Sequence, residues 1–104
     1  MTKLGWLRQT YFICLALAMI IVIHSIQIWI WAVALVRLKA LASYSDALYF
    51  SIVTFTTVGY GDLTIDPEFR IFGAMAAVTG VLAFGISTAM LVNLLSKVFP
   101  NVLR

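Results

Sequence analysis

The chain has 104 residues, of which 63% are hydrophobic and only 11% charged, and its mean hydropathy is +1.07. A soluble domain is nearer half apolar and a quarter charged, so a water-soluble globule is excluded and a membrane protein with one small domain, residues 1–104, is expected. The net charge of +3 comes from scattered basic residues, which offer no patch for nucleic acid; with no plausible catalytic constellation, neither an enzyme nor a cofactor is expected.

Met1 to Gln9 reads as a short basic lead-in, with Trp6 as an interfacial anchor. Thr10 to Val36 then carries no charge. At about 1.5 Å per residue this run exceeds the roughly 30 Å of bilayer hydrocarbon, so an outer transmembrane helix is expected at about 10–36. A signal peptide is the rival reading, because Lys3 and Arg8 precede the run and Ala32-Val33-Ala34 resembles a cleavage site. The run is longer than the roughly 7–15 residues of a signal peptide's apolar core, so the helix is expected to stay. The single cysteine, Cys14, lies inside it and leaves no partner for an intrachain disulfide. His24, Ser25 and Gln27 interrupt its middle, and Trp29 and Trp31 fall toward the far interface.

Arg37 to Tyr44 is a connector. Ser43-Tyr44-Ser45-Asp46 fits the S-x-x-D pattern that opens a helix. A helix at about 45–56 would be roughly 18 Å long, too short to cross a bilayer and too apolar to lie in water. It reads as a re-entrant helix, tolerated at membrane depth only when buried in protein. Five extended residues, 57–61, would return roughly 15 Å toward the same surface. The matching lengths suggest a half-crossing hairpin whose helix aims its partially negative C-terminus at the membrane centre.

The turn of that hairpin is Thr54-Phe55-Thr56-Thr57-Val58-Gly59-Tyr60-Gly61-Asp62, or T-x-x-T-x-G-Y-G-D. Gly59 and Gly61, at alternate positions, are free to adopt positive φ and so to aim successive carbonyls to one side. The nine letters in order, between two apolar spans, resemble the filter of potassium-selective channels, and the stretch from about Ser45 to Ser96 resembles the pore domain of the two-transmembrane bacterial type, a resemblance that weakens over the outer helix. The resemblance implies a homotetramer in a lipid bilayer, with potassium ions held by Thr57, Val58, Gly59 and Tyr60 and released past Gly61. It implies filter support from Thr54, Thr56 and Asp62, and from Tyr49 and Phe50, which stand where many members carry tryptophan. Phe50 cannot donate a hydrogen bond. Some bacterial members also carry a glutamate paired with the outer aspartate; Val53 stands there, so Asp62 is expected to lack that partner.

Asp62 to Phe69 is an acidic outer loop with Pro67 as its breaker, and an inner transmembrane helix is expected at about 70–97. Lys97, Pro100 and Arg104 close it. Lys3, Arg8, Lys97 and Arg104 flank the chain ends, against Arg37, Lys39 and Arg70 in the centre; this excess favours both termini in the cytoplasm of a multi-pass cell-membrane protein. Gly80 matches the family's inner-helix glycine by its distance from the filter, and is either a gating hinge or a close-packing site. Val81, Phe84, Thr88, Val92 and Ser96 recur at helical spacing and either line an inner cavity or form a packing seam. His24 is either a pH sensor or a neutral strut bonded to a neighbouring helix, through Ser87 or Asn93. The expected fold is an all-α membrane protein, and the expected function passive, selective potassium permeation. The alternatives are a potassium transporter subunit, disfavoured by the intact G-Y-G in a single repeat, and a non-selective cation channel, disfavoured by Tyr60.

Overall fold

The computed structural model describes residues 3–99, which form three α-helices and one short 3₁₀ turn. Helix α1 runs Lys3–Arg37, α2 runs Tyr44–Phe55, the 3₁₀ turn covers Pro67–Phe69, and α3 runs Arg70–Val98. Pro100 and Arg104 lie outside the described residues. Helices α1 and α3 are long and apolar enough to cross a membrane, with mean hydropathies of 2.4 and 2.0 over their most apolar windows. Little of either is buried within the chain. A soluble protein would hide such helices in its core; these need lipid or other chains around them.

Helix α1 begins seven residues before the expected start at Thr10. A charge does not of itself end a helix. Between Lys3 and Thr10 there is no proline, and Leu, Arg and Gln are good helix formers. Its other end is sharply defined. Ala40 N–H bonds the Leu35 carbonyl at 2.9 Å and Lys39 N–H bonds that of Val36 at 3.0 Å, with Lys39 at φ +61°. That is the Schellman closure, built on a lysine where glycine is usual. Arg37 adds a cation against the negative helix end.

Helix α2 opens as its sequence requires. Ser43 is extended (φ −126°, ψ 153°) and its Oγ accepts from Asp46 N–H at 3.1 Å. Ala47, Ser51 and Phe55 follow at four-residue intervals and are buried, so one stripe of α2 faces the rest of the chain. The upper part of that stripe joins a core of Ala32, Leu35, Leu41 and Ala47, on which Leu63, Ile65 and Phe72 pack. The lower end, Phe55, reaches the middle of both long helices, with its ring 5.4 Å from Phe84 and 6.1 Å from His24. The loop after α2 then comes back to the upper core through Leu63 and Ile65. Helices α1 and α3 run antiparallel, since Trp31 stacks edge-on against Phe72 at 5.1 Å near one end and Gln9 bonds the Val98 carbonyl near the other.

One contact fixes how far α2 descends. Gly80 is buried in α3, and a Cβ placed there would overlap the Phe55 carbonyl oxygen and lie 2.7 Å from its carbonyl carbon. Backbone meets backbone, and only glycine leaves room. This close approach gives the glycine a packing role inside a continuous helix. Gly85, one turn on, would meet nothing within 4 Å. Gly80→Ala is therefore expected to destabilise the protein by about 1–3 kcal/mol, whereas Gly85→Ala is neutral or slightly stabilising by helix propensity. Thermal melting in detergent, followed by circular dichroism, checks this; equal melting temperatures for the two variants would contradict the packing role.

Candidate functional site

The site begins where α2 stops. Thr56 caps the helix (φ −81°, ψ −2°), with its N–H on the Ile52 carbonyl at 3.1 Å and its Oγ1 on the same carbonyl at 2.7 Å. Thr57 N–H still reaches the Thr54 carbonyl at 3.0 Å, but Thr57 has φ +64° and the chain leaves the helix. Gly59 N–H reaches back to the Val53 carbonyl at 3.1 Å, which pins the extended run to the helix end. Positive φ recurs at Gly59 (+56°) and Gly61 (+78°).

Left-handed backbone at residues 57, 59 and 61 thus alternates with the ordinary negative φ of Val58 and Tyr60. Such alternation gathers successive N–H groups on one side and leaves the carbonyls together on the other. Only the glycines were expected to be left-handed; Thr57 is as well. For a β-branched residue this is strained backbone, costing about 1–3 kcal/mol, of the kind that clusters at functional sites. Among the described residues, none donates a hydrogen bond to a carbonyl from Thr57 to Gly61. The whole run is exposed on the single chain, Val58 by 54% and Tyr60 by 72%. Among the described residues no cluster of His, Cys, Asp or Glu able to hold a metal ion occurs, so the polar groups this run presents are mainly those of its backbone.

Asp62 follows the run, and it is not without a partner. Tyr49 Oη donates to Asp62 Oδ2 at 2.6 Å, tying α2 to the outer end of the run. Val53 removes the expected acidic partner, and a tyrosine one turn earlier supplies the bond. The signal lay in the sequence, since a phenol can donate as an indole does, but only the fold brings its hydroxyl to Asp62. Phe50 packs beneath the loop, its ring 3.5 Å from where a Cβ on Gly73 would lie. It acts by packing alone. Thr54 lines a cleft of about 170 Å³ behind the run, together with Tyr49, Gly59 and Asp62.

On α3, Val81, Thr88, Val92 and Ser96 lie exposed along one face. The Thr88 and Ser96 hydroxyls bond carbonyls of their own helix at 2.8 Å, so this face is effectively mild in polarity. Phe84 departs from the expected stripe. Its ring sits 4.5 Å from His24 and 5.4 Å from Phe55, inside the chain. Gly85 takes its place on the exposed face.

His24 is 7% exposed and has both ring nitrogens engaged. Nδ1 lies 2.8 Å from Gln27 Oε1, and Nε2 lies 2.8 Å from Ser87 Oγ. With the Gln27 carbonyl as acceptor, Nδ1–H donates and Nε2 accepts from the Ser87 hydroxyl. A neutral imidazole is therefore fully satisfied, and of the two expected partners it is Ser87 that bridges to α3.

An ion channel family profile matches residues 11–97, and the chain belongs to that family. It is accordingly a membrane channel protein and not an enzyme. Among curated proteins, it is similar to potassium voltage-gated channel subfamily A member 5 of rabbit (Oryctolagus cuniculus), rat (Rattus norvegicus) and human (Homo sapiens), at 38% identity over 53 residues in each. The shared segment covers 50% of this chain and 9% of each relative, so the chain spans less than a tenth of the length of the relatives it matches. No solved structure matches the chain at a comparable level.

The Asp62 carboxylate, by accepting its hydrogen bond, holds the Tyr49 phenol above the ordinary value of 10.0, with smaller contributions from desolvation and from charge. A raised value means that the bond stabilises fully below pH 10.0 and is lost as pH rises through the raised value. In the difference between alkaline absorbance titrations of wild type and Tyr49→Phe, the missing phenol should ionise later than an ordinary tyrosine. Ionisation at the ordinary value would mean the bond is absent.

Proposed function

We propose that this chain is one subunit of a potassium-selective channel of the two-transmembrane type, in which four copies bring their 57–61 runs around a common axis. The observation that carries this reading is the exposed, left-handed-alternating run whose carbonyls have no donor among the described residues. Backbone oxygens left unpaired at membrane depth cost several kcal/mol each. A partly dehydrated cation removes that cost, and the oxygens in turn replace its hydration shell. One chain offers a single side of such a cage, so a homotetramer is the assembly that closes it.

The relatives are potassium voltage-gated channels by name, which supports the choice of ion. In this reading Thr57, Val58, Gly59 and Tyr60 hold potassium and Gly61 lets it leave. Helix α2 is a re-entrant pore helix, its negative end directed at the membrane centre. Val81, Thr88, Val92 and Ser96, with Gly85, face the inner cavity. The protein lies in the cell membrane, with both termini in the cytoplasm.

Three measurements test the ion pathway. Tyr60→Asp is expected to admit sodium, and Gly59→Ala to abolish selective current while leaving helix content unchanged. Barium, doubly charged and close to potassium in size, is expected to block from the inside near Thr57. A permeability ratio unaltered by Tyr60→Asp would show that 57–61 is not the filter.

His24 is proposed as a strut, not a proton sensor. The side chains packed on it are Gln27, Ser87, Phe55 and Phe84, none of them charged. Its loss in His24→Leu should lower tetramer stability by about 0.6–2 kcal/mol, with open probability showing the same pH response in wild type and variant. A pH response present in wild type and gone in both His24→Leu and His24→Gln would make it the sensor.

A further inference from the structure

Two hydrogen bonds join α1 to α3, one at each end of the same stretch. His24 bonds Ser87 at 2.8 Å, and Gln9 Nε2 donates to the Val98 carbonyl at 3.1 Å. Residues 9–24 of α1 therefore run beside residues 87–98 of α3 with a directional tie at either limit. Val98 is the last residue of α3. The closing carbonyls of a helix have no partner within it, so a side chain from 89 positions away caps this one. The Gln9 amide is only half satisfied, since its Oε1 is buried with no donor among the described residues. A leucine would fill similar space without that unpaired acceptor, so packing alone does not call for glutamine here.

Beyond His24 and Ser87 the contacts belong to a different group. The first half of α3 goes with α2 and the 57–61 run, through Gly80 on the Phe55 backbone and Gly73 over Phe50. The second half of α1 joins them through Trp31 on Phe72. Where the two groups meet, each long helix is locally weakened. In α3, Gly85 has open space around it, and Thr88 Oγ1 donates across it to the Phe84 carbonyl at 2.8 Å. In α1, Ser25 Oγ donates to the Ile21 carbonyl at 2.8 Å. A hydroxyl bonded four residues back disturbs the helix's own ladder and favours bending, as glycine does. Thr10 and Thr79 make the same bond, but each has a brace beside it: Gln9 on Val98, and Gly80 on Phe55. His24 stands at the junction, with its ring on Phe84 and Phe55 at 4.5 and 6.1 Å.

We propose that residues 9–24 of α1 and 87–98 of α3 move as one body, swinging at Ser25 and Gly85 against a second body that carries the 57–61 run, and that Gln9 is the positioning residue that makes α1 follow the end of α3. In the channel reading, on which this last step rests, the swing displaces the Val92 and Ser96 end of the inner face while the run stays in place.

The test is amide hydrogen exchange of the full chain in lipid nanodiscs, joined to one cross-link. Wild type should exchange residues 25–29 and 85–89 faster than the helix on either side of each. Gly85→Ala should slow 85–89 by about fivefold, through helix propensity. Gln9→Leu should speed residues 95–99 by roughly two- to tenfold, as loss of one hydrogen bond implies, with the melting temperature unchanged. Ile20 and Leu94 face a common hollow between the two helices. As Ile20→Cys and Leu94→Cys in a Cys14→Ser background, joined by a short bis-methanethiosulfonate, they should leave the exchange of 85–89 and the open probability as in the unlinked protein. A flat exchange profile through 25–29 and 85–89 would overturn the proposal, as would wild-type exchange of 95–99 in Gln9→Leu. So would a cross-link that suppresses exchange at 85–89 or alters open probability, because the helices would then be sliding past one another. Exchange is read without current, so a pore that fails to select potassium leaves this outcome separate.

Discussion

The backbone contact between Gly80 and Phe55 is the constraint on which this molecule depends. Helix α2 is only twelve residues long and touches the core near its start through Ala47. Its far end is located by α3, which lets the Phe55 carbonyl approach only because Gly80 has no side chain. From that point Thr56 caps the helix, Thr57 turns the chain, and the run to Gly61 begins. A displacement of α2 at Gly80 would carry the whole run with it. The strain at Thr57 is then one local cost held in place by an over-determined surrounding, with the Gly59–Val53 bond below and the Tyr49–Asp62 bond above.

The second organising element is the aromatic and polar cluster beneath that contact. His24, Phe55 and Phe84 come from three different helices, and their ring centres lie 4.5 to 6.1 Å apart. Aromatic faces fill volume, and the His24–Ser87 bond supplies direction. A polar residue in the middle of a membrane-spanning helix is costly unless it is paired, and here both nitrogens are paired. The result ties α1, α2 and α3 together at one height, directly under the corner where the run starts.

Much of this was legible in the sequence, for identifiable reasons. Helix α2 was readable because Ser43 and Asp46 form a cap pattern with a local mechanism. Gly59 and Gly61 announced left-handed backbone. What escaped the sequence depended on tertiary placement or on a mistaken proxy. The start of α1 lies earlier than expected because charge was taken to end the helix, and the helix runs through Arg8 to Lys3. Phe84 shares its spacing with an exposed stripe, yet sits at the stripe's edge, and the cluster around His24 draws it inward. The Asp62 partner was sought at Val53, four residues before Thr57, when the fold brings in Tyr49. Thr57 gave no sign of left-handed φ, because a β-branched residue adopts it only when its surroundings insist.

The central claim is that the carbonyls of 57–61 select potassium, and the reversal potential of purified wild-type protein in planar bilayers, with potassium and sodium on opposite sides, tests it most directly. Selective carbonyl cages predict a reversal potential far from zero, in the direction of potassium movement, that shifts by about 59 mV for each tenfold change in potassium. A reversal potential near zero with potassium opposing sodium would mean that both ions pass alike, and would contradict the account.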